Sequence, residues 1–100
     1  MALGPPRREL RELPSWGYCI ERLGGDRALW DEALESLFWK LSRDAEAFSF
    51  PLRDVRTRLT FTEELRDVPV LRVFFWLEAD VVQLAWVERV DDAGPFGFDN

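Results

Sequence analysis

Three arginines in the second half of the chain have types and a spacing that suit binding to phosphate groups. Arg56 and Arg58 are two positions apart in an alternating segment, so both side chains would project from the same face of a β-strand. Arg72 stands near the start of the next apolar segment, close to Phe74 and Trp76. Guanidinium groups bind phosphates through paired hydrogen bonds, and aromatic rings stack on bases. A sheet face with these residues is therefore suited to binding RNA.

Two other interpretations of the same arginines remain open. They can form ion pairs within the sheet, with Glu78 and Glu88 as partners, or they can present a contact surface to an acidic helix. The prediction that they share a face rests on the apolar positions of the two segments, which should point to the helix: Val55, Leu59, Phe61, Leu71, Val73, Phe75 and Leu77. Arg56, Arg58 and Arg72 are then left together on the far side.

Other kinds of catalytic site lack the residues they need. The chain contains no histidine, which excludes Ser-His-Asp and Cys-His catalysis and zinc sites built from cysteine and histidine. No glycine-rich phosphate-binding loop is present. The adjacent carboxylates at Glu63-Glu64 and Asp91-Asp92 stand in polar stretches and are predicted to be solvated. We therefore predict no metal and no cofactor.

Composition indicates one small globular domain. The 100 residues are 47% hydrophobic, and Cys19 is the only cysteine, so no internal disulfide can form. The formal net charge of −6 is opposite to that of a typical nucleic-acid module and fits equally well with solubility or with a basic protein partner. Residues 1–15 have no apolar core of a secretory signal, and no apolar run reaches the ~18–20 residues that span a bilayer. The expected location is the cytoplasm, without membrane contact.

Hydrophobic periodicity predicts the elements that position the arginines. In chain order they are a lead-in over 1–15 with a short helix at 7–13 ended by Pro14, a strand at 16–23, a turn at 24–26 with an N-cap at Asp26, a helix at 27–47, strands at 54–62, 70–78 and 81–90, and a loose tail at 91–100. The predicted fold is one α+β domain over 1–100 with its core in 16–90. A three-stranded antiparallel meander packs one face against the helix.

Two segments carry the strongest patterns. In the helix at 27–47, an apolar stripe recurs at spacings of three and four residues and includes Trp30, Leu34, Leu37, Phe38 and Leu41. In the last strand, alternation predicts that Val82, Leu84 and Trp86 share one face and that Val87 and Arg89 lie on the other.

The second half of the chain resembles the RelE/ParE-like toxins of bacterial toxin–antitoxin pairs. The resemblance covers mainly residues 51–90, in "PLRDVRTRLTF" and "LRVFFWLEADVVQLAWVERV". It implies a strand, helices and an antiparallel meander. In the RNA-cleaving members, a basic pair on one strand and an arginine on the next bind the RNA backbone and stabilise charge on the scissile phosphate. By position these are Arg56, Arg58 and Arg72, with Arg89 as a looser match.

The chain also departs from that family's pattern. The cleaving members carry further basic residues, often with a tyrosine or histidine, at the end of the last strand, where this chain reads "VERVDDAGPF". The family is usually basic and has a helical hairpin, whereas one long helix is predicted here. Gyrase-directed relatives lack the cleavage residues, so the resemblance implies a fold and a protein partner without fixing an activity.

Three functions follow as hypotheses. The first is a RelE/ParE-like toxin–antitoxin or phage-related domain acting on RNA through the arginines. The second is a non-enzymatic binding protein, of immunity, antitoxin-like or inhibitor type, whose acidic residues Asp31, Glu32 and Glu35 meet a basic partner. The third is a domain that forms a homodimer through exposed aromatic residues drawn from Phe74, Trp76, Phe96 and Phe98.

Overall fold

The fold consists of two helices packed on a five-stranded mixed sheet. The structure is a computed structural model, and it describes residues 8–25, 27–53, 56–63 and 69–90. Its elements are β1 (Glu9–Glu12), α1 (Pro14–Leu23), α2 (Arg27–Asp44), β2 (Phe50–Pro51), β3 (Thr57–Phe61), β4 (Leu71–Leu77) and β5 (Val81–Arg89). The predicted class, a small α+β domain with helix on one sheet face, is confirmed.

The sheet has the strand order β1-β5-β4-β3-β2. Strands β3, β4 and β5 form the predicted antiparallel meander, and β2 adds a short antiparallel edge beside β3. At the other edge, β1 pairs in parallel with β5, from Glu9 opposite Val81 to Glu12 opposite Leu84. The chain must therefore cross over through both helices and the meander between β1 and β5.

Two predictions for the start of the chain are wrong. The predicted helix at 7–13 is strand β1, because pairing with β5 supplies backbone hydrogen-bond partners that local sequence does not reveal. The predicted strand at 16–23 is helix α1. Pro14 stands in its first turn, where proline favours a helix start, and does not end a helix. Trp16, Cys19 and Leu23 are buried at spacings of three and four residues.

The second helix agrees with its prediction over most of its length. α2 ends at Asp44, three residues before the predicted end, and residues 45–48 form turns. Gly24 and Gly25, with φ of 63° and 67°, form the left-handed connection between α1 and α2. The predicted N-cap at Asp26 lies outside the described residues. The two helices thus form the hairpin that the sequence pattern does not show.

A β-bulge in β5 changes which residues face the helices. Phe75 stands opposite Leu84 and Phe74 opposite Trp86, so Ala85 is an extra residue. After the bulge Val87 points into the core, where it is 2% exposed, and Trp86 lies on the other side. The predicted alternation of Val82, Leu84 and Trp86 is therefore wrong beyond Leu84.

One core joins the helices to the sheet. Its buried members are Trp16, Cys19, Leu23, Trp30, Leu34, Leu37, Leu41, Ala45, Leu71, Val73, Phe75, Val82, Leu84 and Val87. Within the part of the chain that the structure describes, neither helix is long and apolar enough to cross a membrane. The predicted tail at 91–100 and Val55 are outside that part.

Candidate functional site on the sheet

Strand register assigns the arginines to two different faces of the sheet. We call the face that packs on α1 and α2 the inner face and the opposite one the outer face. Arg58 stands opposite Phe75, which is a core residue, so Arg58 lies on the inner face. Arg72 stands opposite Phe61 and Glu88 on the outer face. The prediction that Arg56, Arg58 and Arg72 share the far face is wrong.

The side chains of β3 explain why the prediction fails. Leu59, expected to point to the helix, stands opposite Phe74 on the outer face, and Thr60 stands opposite the core residue Val73. Thr60 Oγ1 donates a hydrogen bond of 2.6 Å to the carbonyl oxygen of Phe48. The inner side of β3 lies next to the end of α2, where carbonyl groups need donors. Polar residues at the inner positions of β3 can donate hydrogen bonds to these carbonyl groups, and apolar residues cannot.

Arg58 holds the connection that follows α2. Its Nε donates to Ser49 Oγ at 2.6 Å, and one terminal nitrogen donates to the carbonyl oxygens of Ser49 at 3.2 Å and Glu46 at 3.3 Å. The Ser49 hydroxyl in turn donates to the carbonyl oxygen of Ala45. Arg58 thus serves the fold at three acceptors, and a phosphate would have to compete with them.

Arg72 is part of a buried ion pair. Its Nε lies 3.0 Å from Glu88 Oε2, and the two side chains are only 5% and 7% exposed. Trp86 Nε1 donates to the other carboxylate oxygen, Glu88 Oε1, at 2.9 Å. Both oxygens of Glu88 are therefore bound, which is what a buried carboxylate requires. The pair is neutral overall and offers no net positive charge to an anion.

Arg56 and Arg89 complete the predicted set. Arg56 is exposed, and one of its terminal nitrogens lies 3.5 Å from Glu78 Oε1 in a surface ion pair. Arg89 is the half-buried last residue of β5 and stands opposite Leu71. The ion-pair interpretation of the arginines named Glu78 and Glu88 as partners, and both pairs are present.

The outer face is rich in aromatic side chains, and one of them, Phe50, lies in a strand that the sequence pattern does not predict. Phe50 is 63% exposed and Trp76 is 42% exposed, while Phe74, two residues before Trp76 in β4, is buried. Phe50 joins this face through β2, a two-residue strand that pairs with β3 opposite Leu59. The sequence around it, "SFPL", was predicted only to break the helix. A strand this short leaves no periodic signal.

The described residues also include one cysteine and several side chains of metal-ligating types. The pKa of the Cys19 thiol is raised by burial, which keeps it in the unreactive protonated form at neutral pH. Among residues 8–25, 27–53, 56–63 and 69–90, no three side chains of the metal-ligating types cluster closely enough to hold an ion. The predicted roles of the four arginines stay predictions.

The fold has a solved counterpart. A chain in the crystal structure of the toxin–antitoxin complex RelBE2 from Mycobacterium tuberculosis superposes with a TM-score of 0.64. The match covers 83% of this chain and 98% of that one, at 16% sequence identity, so the likeness is one of fold. No family model and no curated protein matches the chain.

Proposed function

We propose that this chain is a RelE/ParE-like component of a toxin–antitoxin pair that acts by binding a protein and does not cleave RNA. The fold it shares with a chain of a toxin–antitoxin complex supports the first part. The observation that carries the second part is the division of Arg58 and Arg72 between opposite faces, each with intramolecular partners. Such a component works in the cytoplasm, and that location belongs to the proposal.

Cleavage through the predicted arginines would need them to converge on one phosphate. Fixed cations accelerate the attack of an RNA 2′-hydroxyl only when they lie beside the charge that develops on that phosphate. Side chains on opposite faces of a sheet cannot meet there. Arg72 would also have to leave Glu88 buried and uncompensated, at a cost of ~3–5 kcal/mol. A protein-binding role needs none of these changes.

The charge of the chain supports a protein partner of opposite sign. A net charge of −6 repels a polyanion and attracts a basic protein over distances up to the Debye length. Because the negative charge comes from the whole chain, this attraction speeds encounter with a partner but does not itself choose the contact surface.

A cleavage assay tests this proposal. Wild-type protein and the double variant Arg56→Ala/Arg89→Ala are incubated with translating ribosomes and a reporter mRNA, and cleavage is followed by primer extension. The double variant removes the exposed Arg56 and the half-buried Arg89, and it leaves the buried pair of Arg72 and the hydrogen bonds of Arg58 intact. We expect no cleavage above background from either protein. Any cleavage by the wild type above background would overturn the proposal, and its loss in the variant would restore the hypothesis that the arginines act on RNA.

Induction in a bacterial host gives the second measurement. We expect growth to slow with the wild type and equally with Arg56→Ala/Arg89→Ala at the same soluble level, because the effect comes from protein contact. Rescue of growth by the double variant would contradict this. Normal growth with both proteins would remove the toxin role and leave an antitoxin-like or inhibitor component.

A further inference from the structure

A groove of about 430 Å³ lies between the two helices, on the side of the molecule away from the outer face. Its floor is apolar and comes from Trp16 and Ile20 of α1 and Leu34 and Phe38 of α2. Ile20 and Phe38 are half-buried, so part of their apolar surface stays accessible in the groove. This size falls in the ~300–1,000 Å³ range of concave binding sites, and the floor suits aliphatic side chains.

The rim of the groove is acidic. Four exposed carboxylates line it, at Glu12, Glu21, Asp31 and Glu35. Of the described residues that line the groove, Arg27 is the one cation, and its Nε lies 3.2 Å from Asp31 Oδ1. Within the described part of the chain, the other three carboxylates form no ion pair. We call this site, the apolar floor with its carboxylate rim, the acidic groove.

Gly17 keeps the acidic groove open. It lies inside helix α1, where glycine is less favourable than alanine by roughly 0.5–1 kcal/mol in other proteins. A Cβ placed on it would meet no atom within 4 Å, so packing does not require glycine there. The residue also lines the groove. A larger side chain at this position would occupy the space that a bound segment needs.

We propose that the acidic groove binds a basic segment of a protein partner, with aliphatic side chains on the floor and lysines or arginines against the rim. The proposal rests on the proposed function, since it says where the partner is bound. Charge complementarity selects this occupant: uncompensated carboxylates disfavour an acidic segment, and the apolar floor gives a peptide more contact than a small cation would find. The bound segment of the partner thus carries positive charge, opposite to the negative charge of the groove.

Binding of a defined probe tests the proposal. The probe is a fluorescein-labelled amphipathic peptide of about 16 residues built from leucine and lysine, long enough to form a helix on the protein. Fluorescence anisotropy is measured at about 0.15 M salt, where only short-range charge contacts survive screening. We expect Gly17→Leu to weaken binding by about tenfold or more, because its side chain fills the groove, and Gly17→Ala to weaken it far less. Circular dichroism checks that both variants keep their helices.

Matched charge variants separate local contact from general attraction. Glu21→Gln/Glu35→Gln removes two rim charges, and Glu78→Gln/Asp80→Asn removes two from the β4–β5 turn, so both variants have the same net charge. We expect the rim variant to bind about three- to tenfold more weakly and the turn variant to bind like the wild type. Equal weakening in both, unchanged binding by Gly17→Leu, or no binding at about 1 mM peptide would overturn the groove proposal. These results are independent of the cleavage assay, which tests the proposed function separately.

Discussion

The outer face of the sheet and the acidic groove treat charge in opposite ways. On the outer face, Arg72 and Glu88 neutralise each other and are buried among aromatic side chains. In the groove, carboxylates stand exposed around an apolar floor, and Arg27 is the one cation among the described residues that line it. The segment that carries Arg72 thus forms a neutral surface, whereas the amphipathic helices α1 and α2 form a charged one. The type of a charged residue therefore does not show where net charge lies until the partner of that residue is known.

The largest expected effect comes from breaking the neutral pair of the outer face. Arg72→Ala leaves Glu88 buried without its cation and should lower the free energy of unfolding by ~3–5 kcal/mol. The double variant Arg72→Met/Glu88→Leu should recover most of the loss, because well-packed apolar residues commonly replace a buried pair at little cost. Urea denaturation measures all three proteins. A single variant as stable as the wild type would show that the pair is not buried as described.

A smaller effect is expected from the arginine on the inner face. Arg58→Ala removes three hydrogen bonds to Ser49 and Glu46 and should lower the free energy of unfolding by ~1–3 kcal/mol. Arg53→Ala, at an exposed position nearby in sequence, is the control and should change it by less than ~0.5 kcal/mol. Thermal or urea unfolding compares them. Equal effects from Arg58 and Arg53 would mean that the hydrogen bonds add nothing to the fold.

Trp76→Ser is expected to change stability least and self-association most. The homodimer hypothesis places its contact on the outer face, where Trp76 is partly exposed. We expect weak, concentration-dependent association that Trp76→Ser abolishes, with a change in unfolding free energy below ~1 kcal/mol. Sedimentation velocity measures the mass. Trp39→Ser, at an exposed tryptophan of α2, is the matched control, and loss of association there instead would move the contact to the helices.

Long periodic elements were predictable from the sequence, and short or phase-shifted ones were not. The stripe of α2 and the alternation of β4 each extend over several repeats, so single exceptions do not hide them. Helix α1 was misread because Trp16, Tyr18 and Ile20 happen to alternate, although Tyr18 is exposed and Cys19 carries the buried position. Strand β1 depends on a parallel partner about seventy residues away, which no local pattern can report.

The candidate site was predictable in its residues but not in its geometry. Arg72 and its possible partner Glu88 were both identified, yet the sequence could not decide between phosphate binding and an ion pair. The face of Arg58 was misassigned because apolar residues on an outer strand need not face the helices. On β3 the inner positions Arg58 and Thr60 donate to carbonyl groups in the segment that follows α2. The sequence also points to the acidic residues Asp31 and Glu35. That they line a groove together with α1 was not predictable, because the hairpin of α1 and α2 was not predicted.

The bulge in β5 accommodates one extra residue, Ala85, and so keeps the residues on either side of it opposite their partners in β4. Without the bulge, strict alternation would set Trp86 opposite Val73 and turn Glu88 toward the core beside Leu71, while Val87 would face Arg72. Because the bulge leaves Ala85 unpaired, Leu84 stays opposite Phe75 and Trp86 stays opposite Phe74. Deleting Ala85 would leave the pairings of β4 with β5 in register, but it would remove the carbonyl oxygen that accepts a hydrogen bond from Ser15 Oγ. The bulge therefore also ties the middle of β5 to the first turn of α1.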